Sequence, residues 1–134
     1  MNDQQSAAAR TCLEAAEGDA MAFPQIVGAL MDAGFEGYAI DFRRATATYH
    51  LPDGESVELP ARRVEAAIAP TFDAALMQAA IREAQQQAPG YTYKGFCEKA
   101  ASAGCAGYIV SFLGRRALYF GRTAETHVEV FPDR

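Results

Sequence analysis

By residue type, Asp41, Tyr49 and His50 are the groups in this chain best suited to acid–base chemistry. A carboxylate and an imidazole within hydrogen-bond reach can hold and pass a proton, and a phenol beside them can steer the group on which they act. Asp41 ends one extended stretch and Tyr49–His50 ends the next, so a hairpin could bring them near each other. The two-residue period of a strand works against the full set, because Tyr49 and His50 must point to opposite faces. Cys97 is the candidate nucleophile for a thiol chemistry, which needs a basic or otherwise thiolate-stabilising neighbour. His50 or His127 could supply one only through tertiary contact. Cys97 instead fits a small core side chain, and Cys105, which follows a glycine, fits packing as well. No catalytic residue is therefore assigned; Asp41, Tyr49, His50 and Cys97 form the alternative set.

Metal and cofactor chemistry find less support. His127 and Glu129 share a strand face, but a structural zinc site normally takes four suitable ligands, and no such spacing is present. No phosphate-cradling glycine motif occurs, so neither a metal nor a cofactor is expected. The aromatic set Tyr38, Tyr49, Tyr108, Tyr119 and Phe120 is the candidate ligand or partner surface, with core packing as the competing account.

These residues sit inside a repeat. Overlaying Phe23–Tyr49 on Tyr93–Tyr119, a shift of 70, makes seven of 27 positions identical. The pairs are Ala33/Ala103, Gly34/Gly104, Gly37/Gly107, Tyr38/Tyr108, Phe42/Phe112, Ala47/Ala117 and Tyr49/Tyr119. In the first copy Phe23, Ile26, Val27, Leu30 and Met31 recur at the three-and-four spacing of a buried helix face. In the second, Tyr93, Phe96, Cys97, Ala100 and Ala101 do so, with smaller side chains that allow closer approach to a sheet. Gly34 and Gly104 are natural helix stops. Strands then follow at Gly37–Phe42 and Gly107–Phe112, with Tyr38, Ile40 and Phe42, or Tyr108, Val110 and Phe112, on one side. Second strands are expected at Ala45–Leu51 and Arg116–Phe120. Third strands are expected at Ser56–Leu59 and Thr126–Phe131, the latter displaced slightly from the 70-residue shift. Pro60 and Pro132 close the units.

The expected architecture is α+β: two related helix–three-strand units, about 23–60 and 93–132, packed into one domain over residues 1–134. An antiparallel sheet and additional helices complete it. One helix covers Ser6–Ala16 and ends at Gly18. The linker 61–90 is helical, with Thr71 as cap, Phe72, Leu76, Met77, Ala80, Ile81 and Ala84 facing inward, and a further turn or two within 61–69. One unit alone leaves an apolar sheet face that a short helix covers poorly, and pairing two units solves this.

At 134 residues the chain supports one sizeable core. Its net charge of −5, from 12 basic and 17 acidic residues, argues against a double-stranded nucleic-acid binder. The arginine pairs Arg43–Arg44, Arg62–Arg63 and Arg115–Arg116 are dispersed along the chain. No apolar run is long enough for a membrane helix, and the N-terminus has no basic flank ahead of an apolar run, so no secretory signal is expected. Three cysteines without a close pair point weakly to a reducing, cytoplasmic setting.

The pieces AFPQIVGALMDAGFEGY, FDAALMQAAIREAQQQ, YTYKGFCEKAASAGCAGYIVSF and VEVFP resemble a small bacterial and prophage family of unknown function, loosely labelled phage envelope protein. The resemblance spans roughly Asp19–Pro132 and includes the Tyr93–x–x–Phe96–Cys97 pattern. It implies a compact α+β protein and places no catalytic residue. Where some family strands end in a tyrosine pair, this chain has Tyr49–His50 and Tyr119–Phe120. The leading expectation is a non-enzymatic cytoplasmic accessory protein that recognises a protein or small ligand, with sheet edges offering a route to a homodimer. The rival is a small enzyme with an acid–base or thiol site between the two units.

Overall fold

Local signals set the helix ends. In a computed structural model that describes residues 1–131, α1 spans Asp3–Glu17 and is capped by Asn2, which exchanges hydrogen bonds with Gln5. This reciprocal arrangement satisfies two amide N–H groups that the helix leaves free. The cap is thus Asn2 and neither Ser6 nor Asp3, the two capping residues that the sequence suggests. α2 (Phe23–Asp32) carries Pro24 in its first turn, and the Gln25 side chain accepts from the Ala22 N–H. α3 (Ala74–Gln86) is capped by Asp73, and α4 (Tyr93–Ser102) by Thr92.

Six strands follow the helices in two runs: β1 Gly37–Asp41, β2 Thr46–His50 and β3 Ser56–Pro60, then β4 Cys105–Ser111, β5 Arg116–Gly121 and β6 Thr126–Val130. They form one antiparallel sheet in the order β3-β2-β1-β4-β5-β6. The domain is α+β, built from two helix-plus-three-strand units and flanked by four helices, as the repeat predicts.

The 70-residue shift holds throughout the units. It carries α2 onto α4 and β3 onto β6 end for end, so the expected displacement of the third strand does not occur. Gly34 and Gly104 have φ of 98° and 92°, and the hairpin residues Ala45 and Arg115 have φ of 55° and 53°. Phe42 N–H bonds to the Ala106 carbonyl, while its counterpart Phe112 N–H bonds to the carbonyl of Glu36, the counterpart of Ala106. The β1–β4 register places Ala39 opposite Ile109, and 109 minus 39 is 70. A pseudo-two-fold axis therefore passes through that pair, normal to the sheet.

One cluster joins the helices to one sheet face. It contains Ala9, Cys12 and Leu13 of α1, Ile26 and Leu30 of α2, Met77, Ala80 and Ile81 of α3, and Phe96, Cys97 and Ala100 of α4. The sheet contributes Tyr38, Ile40, Ala47, Tyr49, Leu59, Tyr108, Val110, Ala117 and Tyr119. Ala100 and Ala101 are wholly buried, so α4 lies close against β4, as its small side chains allow. α1 packs on α2 as α3 packs on α4, which gives each unit a second helix.

The linker departs from expectation. Residues 61–73 are not helical; they run as an irregular strap, and the only helix in the linker is α3. Side chains from other elements satisfy its backbone: Glu17 accepts from the Arg62 N–H, and the Glu98 carboxylate accepts from the N–H groups of Glu65 and Ala66. A helix over these residues would turn the same N–H groups inward. Thr71 precedes the helix without capping it, and Leu76, expected inward, is 55% exposed. Pro132 lies outside the described residues.

The strand crossing at the axis constrains two glycines. A Cβ on Gly107 would overlap the Ile40 carbonyl oxygen and meet the Phe120 ring at 2.8 Å, and one on Gly37 would overlap the Val110 carbonyl oxygen. Gly28, in α2, has nothing within 4 Å of such an atom. Gly107→Ala or Gly37→Ala should therefore destabilise the fold by about 1–3 kcal/mol. Gly28→Ala should stabilise it by about 0.5–1 kcal/mol. Urea denaturation of the three variants checks both signs.

Candidate functional site

The seam between the units is filled with tyrosine. Tyr38 and Tyr49 face each other across β1 and β2 with ring centroids 5.4 Å apart, and Tyr108 and Tyr119 do the same across β4 and β5. Tyr38 and Tyr108 touch across the axis at 6.3 Å. The four rings make a stripe over β2-β1-β4-β5 beneath the helices, and none is more than 6% exposed. Four of the five aromatics considered as a ligand or partner surface are thus core residues. Phe120 alone points the other way, its ring lying over Gly107 on the uncovered face.

The hydroxyls are not stranded. Tyr93, at the start of α4, shares a hydrogen bond of 2.7 Å with Tyr108, whose ring in turn packs against Tyr38. Tyr119 donates to Glu129 at 3.0 Å, and Gln85 donates to the same carboxylate at 2.7 Å. Among the described residues no buried side-chain nitrogen or oxygen lacks a partner. Such a network fixes one relative placement of sheet and helix, because a displaced hydroxyl would lose its partner in a dry interior.

Burial sets the protonation of these groups. It pushes the phenols of Tyr38, Tyr49, Tyr93, Tyr108 and Tyr119 above their usual value, with neighbouring phenols, thiols or Glu129 adding to the effect. The Cys97 thiol is pushed up to about 12 and Cys105 to about 11, chiefly by loss of solvent. A nucleophilic cysteine needs the opposite shift. Cys12, Cys97 and Cys105 are all buried and unpaired with one another.

Asp41 and His50 do not meet. His50 stands opposite Gly37 and Asp41 opposite Thr46, at the two ends of the β1–β2 hairpin, roughly 13 Å apart along the strand. Asp41 has a structural task, accepting from the N–H groups of Arg43 and Arg44 in the turn. His50 is exposed on the sheet face opposite Tyr49. Alternation separates Tyr49 from His50, as the two-residue period predicts.

Two hollows border the helices. A cavity of about 20 Å³ lies under the strap beside Cys97, Tyr93, Glu17 and Arg62, with room for about one water. An open groove of about 310 Å³ runs between α3 and α4, lined by Leu76, Ala79, Glu83 and Lys99, with Lys99 bonded to Glu83 at 2.6 Å. Among the described residues no group of three His, Cys, Asp or Glu side chains could hold a metal ion, and no helix is long and apolar enough to cross a membrane.

The other face of the sheet carries no helix. Its middle row runs Glu58, Thr48, Ala39, Ile109, Leu118, Val128 across all six strands. The first unit presents polar groups there: Glu58, Thr48, Thr46, His50 and Asp41. The second presents Ile109, Leu118, Phe120, Val128 and Val130, with Ile109 48%, Val128 39% and Val130 63% exposed. Sequence reasoning missed this surface. It needed to know that both helix pairs cover the tyrosine side, which strand periodicity alone does not say.

Residues 13–129, most of both units, match a family described as protein of unknown function (DUF1398). The chain belongs to that family. No curated protein matches it. The DUF1398 match covers the whole tyrosine seam and the uncovered face as far as Glu129.

The raised phenol and thiol values make the fold sensitive to alkali. An acid whose folded pKa is raised contributes its full stability below its unfolded value, here 9.0 for cysteine and 10.0 for tyrosine. That contribution is lost as pH rises from those values toward the folded ones, because the unfolded chain releases protons first. Denaturation midpoints should hold steady from pH 7 to about 8.5 and fall progressively above. The phenolate absorbance of the seam tyrosines should rise together with unfolding. Phenolate appearing well before loss of structure would show that the seam is open to solvent.

Proposed function

We propose that this DUF1398 protein is a non-enzymatic, cytoplasmic accessory protein that binds a protein partner through the uncovered sheet face of its second unit. The observation that carries this reading is the row Ile109–Leu118–Val128 with Phe120 beside it, apolar and accessible on three adjacent strands. Contiguous exposed apolar side chains rimmed by polar ones are the usual mark of a protein-binding surface. The rim here is Thr126, Ser111 and Arg116, with the polar first unit to one side. A flat sheet face suits a partner presenting its own apolar helix or sheet and offers little to enclose a small molecule. The acid–base alternative loses its support with Asp41 and His50 at opposite ends of a hairpin, and a thiol route through Cys97 would have to overcome the upward shift of that thiol. The resemblance to prophage proteins makes the products of neighbouring genes the first partners to try.

Ile109→Glu places a carboxylate in the middle of the row, on a side chain already half exposed, and should leave the fold intact. It should lower partner capture at least tenfold against wild type, measured by quantitative affinity purification. Thr48→Glu, on the polar half of the same row, should capture normally. A set of captured proteins that ignores Ile109→Glu would remove this face as the binding surface.

A further inference from the structure

We infer that the β6 edge is a self-pairing surface, and that two copies join there, antiparallel and centred on Val128, into one twelve-stranded sheet. This goes beyond the face-binding reading and does not depend on it.

The sheet has two edges, β3 and β6, which the 70-residue shift superposes residue on residue. The ladder fixes which backbone groups each edge presents. Gly121 N–H bonds to the Glu125 carbonyl, and Phe131 N–H to the Arg115 carbonyl. Antiparallel pairing alternates in steps of two, so residues 125, 127, 129 and 131 turn their backbone groups toward β5. Thr126, Val128 and Val130 turn theirs outward. By the same reasoning, Leu51 N–H to Glu55 and Ala61 N–H to Ala45 leave Ser56, Glu58 and Pro60 facing outward on β3.

The equivalent edges therefore differ where it matters. On β3 the central outward residue is Glu58 and the last is Pro60, which has no N–H to donate. A charge and a proline are two of the devices that keep an edge from pairing. On β6 the same positions are Val128 and Val130, β-branched, apolar and exposed. One edge is blunted and its twin is open.

A second copy fits the open edge in side chains as well as backbone. Pairing centred on Val128 sets Val128 against its own copy and Thr126 against Val130, and joins their three outward N–H and three outward C=O groups to the same groups of the partner. On the helix side, the same register sets His127 directly opposite Glu129 of the second copy, and Glu129 opposite His127. These are non-hydrogen-bonded positions, where facing side chains come closest. The complementarity is reciprocal, as a two-fold contact requires. On the uncovered side, the row Ile109–Leu118–Val128 would continue without a break into its copy. The operation matches the one within the chain, where β1 and β4 also pair antiparallel about a two-fold axis normal to the sheet.

A five-residue ladder buries less than the roughly 1,200–2,000 Å² of a standard interface, so the dimer is reversible and concentration-dependent. Sedimentation equilibrium on the full chain, from low micromolar to millimolar, should show the mass rising from 14.4 kDa toward twice that value. Val128→Glu with Val130→Pro transplants the β3 residues onto β6 and should keep the protein monomeric with an unchanged circular dichroism spectrum. His127→Glu, which faces Glu129 with a like charge at both ends, should raise the dissociation constant at least tenfold. His127→Lys should preserve the dimer. If the double variant misfolds, the His127 pair decides the matter. Wild type at 14.4 kDa throughout, or dimerisation indifferent to these changes, overturns the inference. Ile109→Glu should leave the dimer intact, so failure here is distinguishable from failure of the face-binding reading.

Discussion

The β1–β4 pairing is the contact on which everything else depends. Neither unit can cover its sheet face with one or two short helices, and three strands alone leave both edges open. Joining the two sheets edge to edge removes one edge from each and lets the four helices share a single floor. The join must be close, because hydrogen-bonded strands lie about 4.8 Å apart. At this crossing the carbonyls of Ile40 and Val110 leave no space for a Cβ on Gly107 or Gly37. Glycine on each strand is what lets the two copies meet.

Tyrosine at the seam follows from the same geometry. The inner face near the axis is wide and must be filled by large rings, yet α4 brings Tyr93 and Cys97 over it, and their polar atoms need partners. Phenylalanine at 38 and 108 would fill the volume and leave the Tyr93 hydroxyl without its 2.7 Å partner. An unsatisfied buried hydroxyl costs about 1–3 kcal/mol. The polar tips thus favour this packing over a slipped one, where apolar rings alone would tolerate several. The same burial argues against proton or thiol chemistry at the seam, since it holds every phenol and thiol there in its neutral form near pH 7.

Much of the fold was legible because the repeat was legible. The glycine stops, the three-and-four stripes and the two-residue alternation placed α2, α4 and the six strands, and grouped Tyr38 with Ile40 and Phe42. Four things were hidden. Periodicity says which residues share a face and not which face is covered, so the tyrosines could be read as a surface. The kinship of α1 and α3 lies outside the overlay of 23–49 on 93–119, and their left-handed ends, Asp19 and Gln87, are 68 apart and not 70, so the overlay that found the strands missed this helix pair. The strap carries none of the helical turns expected within Ala61–Ala69. Its conformation depends on Glu17 and Glu98, tertiary acceptors that no local pattern announces. The separation of Asp41 from His50 required the hairpin register, which the sequence left open by several residues.

The two units are alike inside and unlike outside. Facing the helices, Tyr38/Tyr108, Ile40/Val110, Phe42/Phe112, Ala47/Ala117 and Tyr49/Tyr119 are the same or nearly so, because both copies build one core about one axis. On the uncovered side and the outer edges the pairs include Thr48/Leu118, Ala39/Ile109, Glu58/Val128 and Pro60/Val130, while Thr46/Arg116 adds a charge at the margin. Each of the first four makes the second unit more apolar or more open to strand pairing. Core packing cannot account for that bias, since these side chains lie on the far side of the sheet from the helices. Solubility cannot account for it either, because the first unit shows that the same backbone folds with polar residues at the same positions. An apolar half-face next to an open edge, on a scaffold that also carries the polar and blunted version of both, is best explained by contacts with other chains. The proposed partner binding and edge pairing both rest on this bias, which lies on the second unit's outer surface, away from the tyrosine seam.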